Sequence, residues 1–180
     1  MVDVKHLVDD AQVSPRDEGT LALIVRRPAV DVREVVDTAE IDAAEGLLGD
    51  SWRARGSSST SDGSADLEAQ ITVMSSRAAA AFAGEVDRWP LAGDQLYVNF
   101  DISETNLPAG SRIAVGDAVL EVSAKPHTGC AKFSGRFGKD ALRAVSSPEG
   151  RAQRLRGMNT RVVQGGTLRA GDPVRVISRG

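Results

Sequence analysis

Chemistry in this chain converges on the stretch Ala124-Lys125-Pro126-His127-Thr128-Gly129-Cys130-Ala131-Lys132-Phe133. It holds the single cysteine, Cys130, and one of the two histidines, His127. A thiolate attacks electrophiles and binds soft metals, and a cation such as Lys132 or His127, or a nearby backbone N–H, favours that form. The Pro and Gly in the run predict a loop, which would leave the sulfur reachable. Against this stands the common fate of a lone cysteine, a small buried hydrophobe. One cysteine excludes an internal disulfide, and no Cys/His spacing resembles a structural zinc site.

The elements around this loop read as mostly β. Residues 118–122 have strand composition and lead into the cysteine loop; with residues 112–115 and the turn pair Gly116-Asp117 they form a hairpin signal. Residues 20–26 predict a strand that Arg27-Pro28 ends, because proline cannot donate to a ladder. Residues 70–74 and 97–102, and the closing runs 159–163, 167–169 and 174–177, are further strand candidates. Residues 77–83 predict a short helix capped by Ser75 or Ser76. Residues 139–145 predict another, and Ser147-Pro148 starts a third as N-cap and first helical residue. Residues 30–41 fit a helix or a strand equally. Short strands separated by Gly-containing turns predict a barrel or sandwich with a few helices outside. Residues 1–19 are polar and rich in turn signals, an N-terminal arm before a single domain over 20–180. Residues 53–66, rich in Ser and Gly, predict a long flexible loop.

With 180 residues, a net charge of −3 and interspersed basic and acidic residues, the chain suits one domain and offers no basic face for nucleic acid. No apolar run approaches the roughly 20 residues that span a bilayer, and the N-terminus lacks a signal-peptide layout. The expected location is the cytoplasm, with no membrane partner.

The order of several weak motifs resembles the MOSC domain, named for the C-terminal domain of molybdenum-cofactor sulfurase. Gly46-Leu47-Leu48-Gly49-Asp50 is similar to the family's Gly-x-x-Gly-Asp, and Gly93-Asp94-Gln95-Leu96 to its Gly-Glu-Asn-Leu turn. Val115 and the residues through Val122 resemble the hairpin before the family's cysteine, with Pro126 to Cys130 where that cysteine lies. Arg156-Gly157, Gly165 or Gly166, and Gly171-Asp172-Pro173-Val174 resemble the closing steps. Departures are Gln95 for the usual Asn, Ser51-Trp52 for a common Arg-His, His127-Thr128-Gly129 ahead of the cysteine, and an enlarged loop after Trp52.

The resemblance implies a closed β-barrel-like fold with short flanking helices and a pocket over Cys130. It also implies an association with molybdenum cofactor (molybdopterin), Cys130 ligating the metal or carrying sulfur. The candidate charge partners of an anionic cofactor are then Arg53, Lys132, Arg156 and Arg161. His127, Thr128 and Asn159 are candidate hydrogen-bonding groups, and the resemblance puts the Asp94-Gln95 turn near the pocket. Such a domain could reduce N-hydroxylated compounds with electrons from a separate redox protein, or take sulfur from a donor protein, since no flavin or iron–sulfur motif is present. Family descriptions also carry a pyridoxal phosphate association, for which no residue here speaks independently. The contrasting expectation is a non-catalytic carrier module for a pterin- or purine-like small molecule.

Overall fold

The computed structural model describes residues 3–180, apart from the side chain of Val4. In chain order the elements are α1 (Val4–Gln12), β1 (Glu18–Arg26), β2 (Glu34–Val36), β3 (Thr38–Asp42), β4 (Gly46–Leu47), α2 (Trp52–Arg55), β5 (Ile71–Ser75) and α3 (Ser76–Ala83). They continue with β6 (Leu96–Asn99), β7 (Arg112–Val115), β8 (Ala118–Val122), α4 (Ala131–Phe137), α5 (Lys139–Ser146), α6 (Pro148–Ala152), β9 (Met158–Gln164), β10 (Gly166–Arg169) and β11 (Pro173–Ser178).

Seven strands close into a barrel in the order β11-β7-β8-β9-β5-β6-β1, with β1 pairing back to β11 and β2 added beside β1. All barrel pairs are antiparallel except β5–β6, where Val73 lies beside Leu96. A small sheet, β10-β3-β4, flanks the barrel. The Gly116-Asp117 turn joins β7 to β8 as the sequence predicts, with Val115 opposite Ala118. The ambiguous residues 30–41 resolve into a loop and the strands β2 and β3.

Strand alternation divides the apolar residues between two cores. Ile24, Val73 and Leu96 point into the barrel with Ile71, Val98, Leu120 and Met158. Their neighbours Val25, Met74 and Tyr97 point outward into a second core with Ala78, Phe133, Ala144 and Leu155. The strands carrying both sets are apolar on both faces, as in β5, where all five residues are buried. Full burial of a Leu or Met is worth about 1.5–3 kcal/mol each, so the second core holds the helices to the outside of the barrel.

The polar N-terminal arm contains a helix. Residues 4–12 form α1, with Leu7 and Ala11 buried in the second core and Arg77 bound to Asp10 at 3.0 Å. Asp3 caps it by accepting from the His6 N–H at 3.2 Å. Met1 and Val2, also in that arm, lie outside the described residues. The long loop begins as the helical turn α2, and Lys125 clasps Asp66 from across the chain while also donating to Ser59 at 2.8 Å. No described helix is long and apolar enough to cross a membrane.

Candidate functional site

Cys130 sits at the N-cap position of α4 and is exposed, so the alternative of a buried hydrophobe fails. Its place is fixed by Phe133, one helical turn on, which is buried in the helical layer against Phe82 and Phe137 at ring distances of 5.7 and 5.0 Å. The sulfur faces a cleft lined also by Arg27, Arg33, Arg55, Lys132, Arg136 and Arg156, with His127, Asp31 and the Val30 side chain at its edge.

Several of these groups stand just beyond a strand end. Arg27 follows β1, Asp94 lies two residues before β6, the His127–Cys130 loop follows β8, and Arg156 precedes β9. Asp50, from the Gly-Asp motif, holds Arg27 in a two-pronged ion pair at 2.9 Å on each arm and also accepts the N–H groups of Arg27 and Trp52. Arg27 adds a bond to the Gly93 carbonyl at 3.0 Å, stitching the cleft wall to the Asp94 turn.

Under the cleft lies a triad. Asp94, fully buried, accepts from Arg156 Nη1 at 2.6 Å and meets His127 Nε2 at 2.8 Å. Burial pushes the Asp94 carboxyl up, but Arg156 and His127 together outweigh it and hold it below the usual carboxylate range. Burial and then the Arg156 charge lower the His127 pKa against the pull of Asp94. The triad is therefore an anionic Asp94, a cationic Arg156 and a neutral His127 at physiological pH. An ionised carboxylate only accepts, so His127 carries its proton on Nε2 and leaves Nδ1 with a lone pair. Gly157 makes the packing possible. At φ +106° a Cβ there would lie 2.6 Å from the Val73 carbonyl oxygen and 3.3 Å from Asp94 Oδ1. Arg156 also lies over the Phe133 ring at 5.0 Å, which ties the triad to α4.

The cleft is rich in uncompensated positive charge. Asp31, Asp50 and Asp94 offset three of its six cations through contacts with Arg136, Arg27 and Arg156. Lys132 shares Asp31 at 3.4 Å, Arg33 donates only to carbonyls, and Arg55 has no ion pair among the described residues. Partial burial, and then the Arg27 charge, lower the Arg55 pKa. Burial followed by Arg136 and Arg27 does the same to Arg33.

Of the residues marked from the sequence, the structure gathers Cys130, His127, Lys132, Arg156 and Asp94 around this cleft and its floor. Thr128 and Asn159 line a neighbouring cavity on the far side of the cysteine loop. Asn159 there holds the carbonyls of Lys125 and Pro126, each at 3.2 Å. Gln95 is buried and zips β5 to β6, its Oε1 accepting from the Thr72 N–H at 2.8 Å. Two are placed elsewhere: Arg53 reaches the Ala44 carbonyl at 2.6 Å and Glu45, and Arg161 pairs with Glu121 on the outer face of β8–β9. From sequence, Arg55 with Arg53 at the near end of the long loop could meet an anionic ligand or simply be solvated, whereas nothing marks Arg33 or Arg136, or Arg27 as a site residue. One signal was available, since Arg27 precedes the proline that ends β1 and must project past the barrel.

The closed seven-stranded barrel with its flanking helices defines the fold class, and the sequence sets the family. This chain belongs to the MOSC domain family, whose sequence model matches residues 60–175. Among solved structures, the YUAD protein from Bacillus subtilis is similar at a TM-score of 0.67 and 17% identity, covering 88% of this chain and 95% of that one. YiiM from Escherichia coli is similar at a TM-score of 0.59 and 18% identity, covering 89% and 71%. YiiM from Geobacillus stearothermophilus reaches 0.56 at 15% identity, over 93% and 76%. At these identities the likeness shows the fold. No curated protein matches the chain.

Proposed function

We propose that the cleft over Cys130 holds the molybdenum cofactor, with the Cys130 sulfur serving as the chain's ligand to the metal or as a carrier of sulfur for it. The excess of three cations around an exposed thiol carries this reading. The cofactor is anionic through its phosphate and dithiolene, and a soft metal matches a thiolate. The residues present fit such a group, because Arg55 is left without a carboxylate while the neighbouring Arg27 is fixed by Asp50. Among the described residues no cluster of three His, Cys, Asp or Glu side chains could hold a metal by itself.

In this reading Arg33, Arg55 and Arg136 engage the phosphate, and the guanidinium geometry suits that task. Arg156, pinned by Asp94, sets the floor, and His127 presents its Nδ1 lone pair without carrying charge. When bound, the cofactor supplies redox chemistry that no side chain here possesses. Reduction of N-hydroxylated compounds, with electrons from a separate redox protein, is the activity proposed for the loaded domain. The proposal does not extend to pyridoxal phosphate, for which no residue of the cleft speaks independently.

The test is metal analysis and pterin fluorescence on protein made in a molybdate-fed host that synthesises the cofactor. Stoichiometric molybdenum and pterin in wild type, loss in Cys130→Ala and weakening in Arg55→Gln are expected. Persulfide on Cys130 without metal would move the assignment to sulfur carriage. Neither metal nor persulfide in wild type would overturn both, and stabilisation by a pterin in wild type and Cys130→Ala alike would favour a carrier module.

A further inference from the structure

A second cavity of about 240 Å³ opens on the other side of the cysteine loop, between residues 123–129 and the α5–α6 corner. Four cations line it, and two are already neutralised: Arg156 by Asp94 and Lys125 by Asp66. The other two are not. The Arg151 side chain, on α6, has no hydrogen bond or ion pair with the described residues. Arg154 uses only Nη1, which donates to the carbonyls of Ile102 at 3.0 Å and Leu107 at 2.7 Å and approaches the Met158 sulfur at 3.9 Å. Its Nε and Nη2 have no partner among the described residues.

Arg154 also takes a left-handed backbone conformation, φ +47°, one of two non-glycine residues to do so among those described. It is the residue that ends α6 in a Schellman motif, with the Leu155 N–H donating to the Gly150 carbonyl and the Arg154 N–H to the Arg151 carbonyl, each at 2.9 Å, while the two bonds from Nη1 fix the side chain. Burial lowers the Arg154 pKa, and Glu104 is the one charge that offsets it. Glu104 itself lines the cavity and contacts no cation within ion-pair distance among the described residues. The cavity therefore sets two unpaired guanidinium groups and one unpaired carboxylate around a partly apolar space that includes Val145 and Met158.

We propose that this cavity binds a small zwitterion of the α-amino acid class, its carboxylate on Arg151 and Arg154 and its ammonium on Glu104. A guanidinium fork matches a carboxylate bidentately, and a carboxylate is the natural partner of an ammonium. The cavity lies below the roughly 300–1,000 Å³ of sites for drug-sized ligands, which selects a small molecule. The site adjoins the Cys130 cleft, with His127 and Arg156 lining both, but Arg151, Arg154 and Glu104 line only this cavity and their roles require no cofactor in the cleft.

The test is isothermal titration of the purified full chain with each of the common L-amino acids and with the N-acetyl form of any that binds. At least one amino acid is expected to bind with Kd at or below about 1 mM, equally in wild type and Cys130→Ala. Arg151→Gln and Glu104→Gln, both exposed residues without partners to lose, are each expected to weaken it about tenfold or more, as is N-acetylation, which removes the ammonium. No binding by any amino acid overturns the proposal. So does binding that both variants leave unchanged, or an N-acetyl form that binds as tightly as its parent.

Discussion

Replacing Arg156 with Met should reverse the pH dependence that His127 gives to stability. In the native chain the folded His127 pKa lies below the ordinary 6.5, through burial and the Arg156 charge. The folded state then binds fewer protons than the unfolded chain, so this contribution is present above 6.5 and is lost as pH falls below it. Arg156→Met removes the repelling charge and leaves Asp94, with no exposed surface, facing His127 alone. His127 then gains a proton to neutralise its partner, and its folded pKa rises above 6.5. A raised value reverses the sign: the contribution is full below 6.5 and is lost as pH rises through the new value. Breaking a buried ion pair costs about 3–5 kcal/mol, and that loss is expected near pH 8, where His127 is least able to compensate. Near pH 5.5 the variant should recover about 1–2 kcal/mol relative to wild type, since each unit of pKa shift is worth about 1.4 kcal/mol. Urea unfolding followed by the fluorescence of Trp52 and Trp89 measures both, and the difference between variant and wild type cancels groups whose shifts the two share. A penalty equal at the two pH values, or below about 1 kcal/mol near pH 8, would refute the triad as described.

Asp31, held at φ +59° and shared by Arg136 at 2.8 Å and Lys132 at 3.4 Å, occupies the cleft as an internal anion. Asp31→Gly relieves the backbone and frees both cations, so titration with inorganic pyrophosphate at low salt should show about threefold to tenfold tighter binding; unchanged affinity would remove Asp31 from the site's electrostatics. Gly157→Ala forces a methyl group to within 2.6 Å of the Val73 carbonyl oxygen at a φ of +106°. A loss of about 3 kcal/mol or more is expected in urea unfolding, and a loss under about 1 kcal/mol would mean that the Arg156-Gly157 segment relaxes without strain.

What the sequence shows and hides follows from the range of the forces involved. The 115–118 hairpin and the Ser147 cap, whose Oγ accepts from the Gly150 N–H at 3.0 Å, are set by neighbours in the chain and were legible. The helix over residues 4–12 was legible too, since Val4, Leu7, Val8 and Ala11 recur at i, i+3, i+4 and i+7 behind the Asp3 cap, but the Asp9-Asp10 pair reads as a turn signal and hides that period. The cysteine loop could be found by type alone, but the charges around it are paired over long separations: Arg27 with Asp50, Arg156 with Asp94, Arg136 with Asp31.

Local geometry still sorts the arginines once the elements are known. Arg53 and Arg55 stand two residues apart on one helical turn and so face different ways, one to Glu45 and the other to the cleft. Arg161 lies between the buried Thr160 and Val162, so strand alternation turns it outward to Glu121. A basic residue in the middle of a barrel strand is thus committed to the outer face, whereas one just past a strand end, such as Arg27 or Arg156, is free to turn over the barrel's mouth. The charges that reach a ligand above the thiol therefore come from strand ends, as Arg27, Arg33 and Arg156 do, and from the helices α2 and α4, which supply Arg55, Lys132 and Arg136, and none comes from a strand interior.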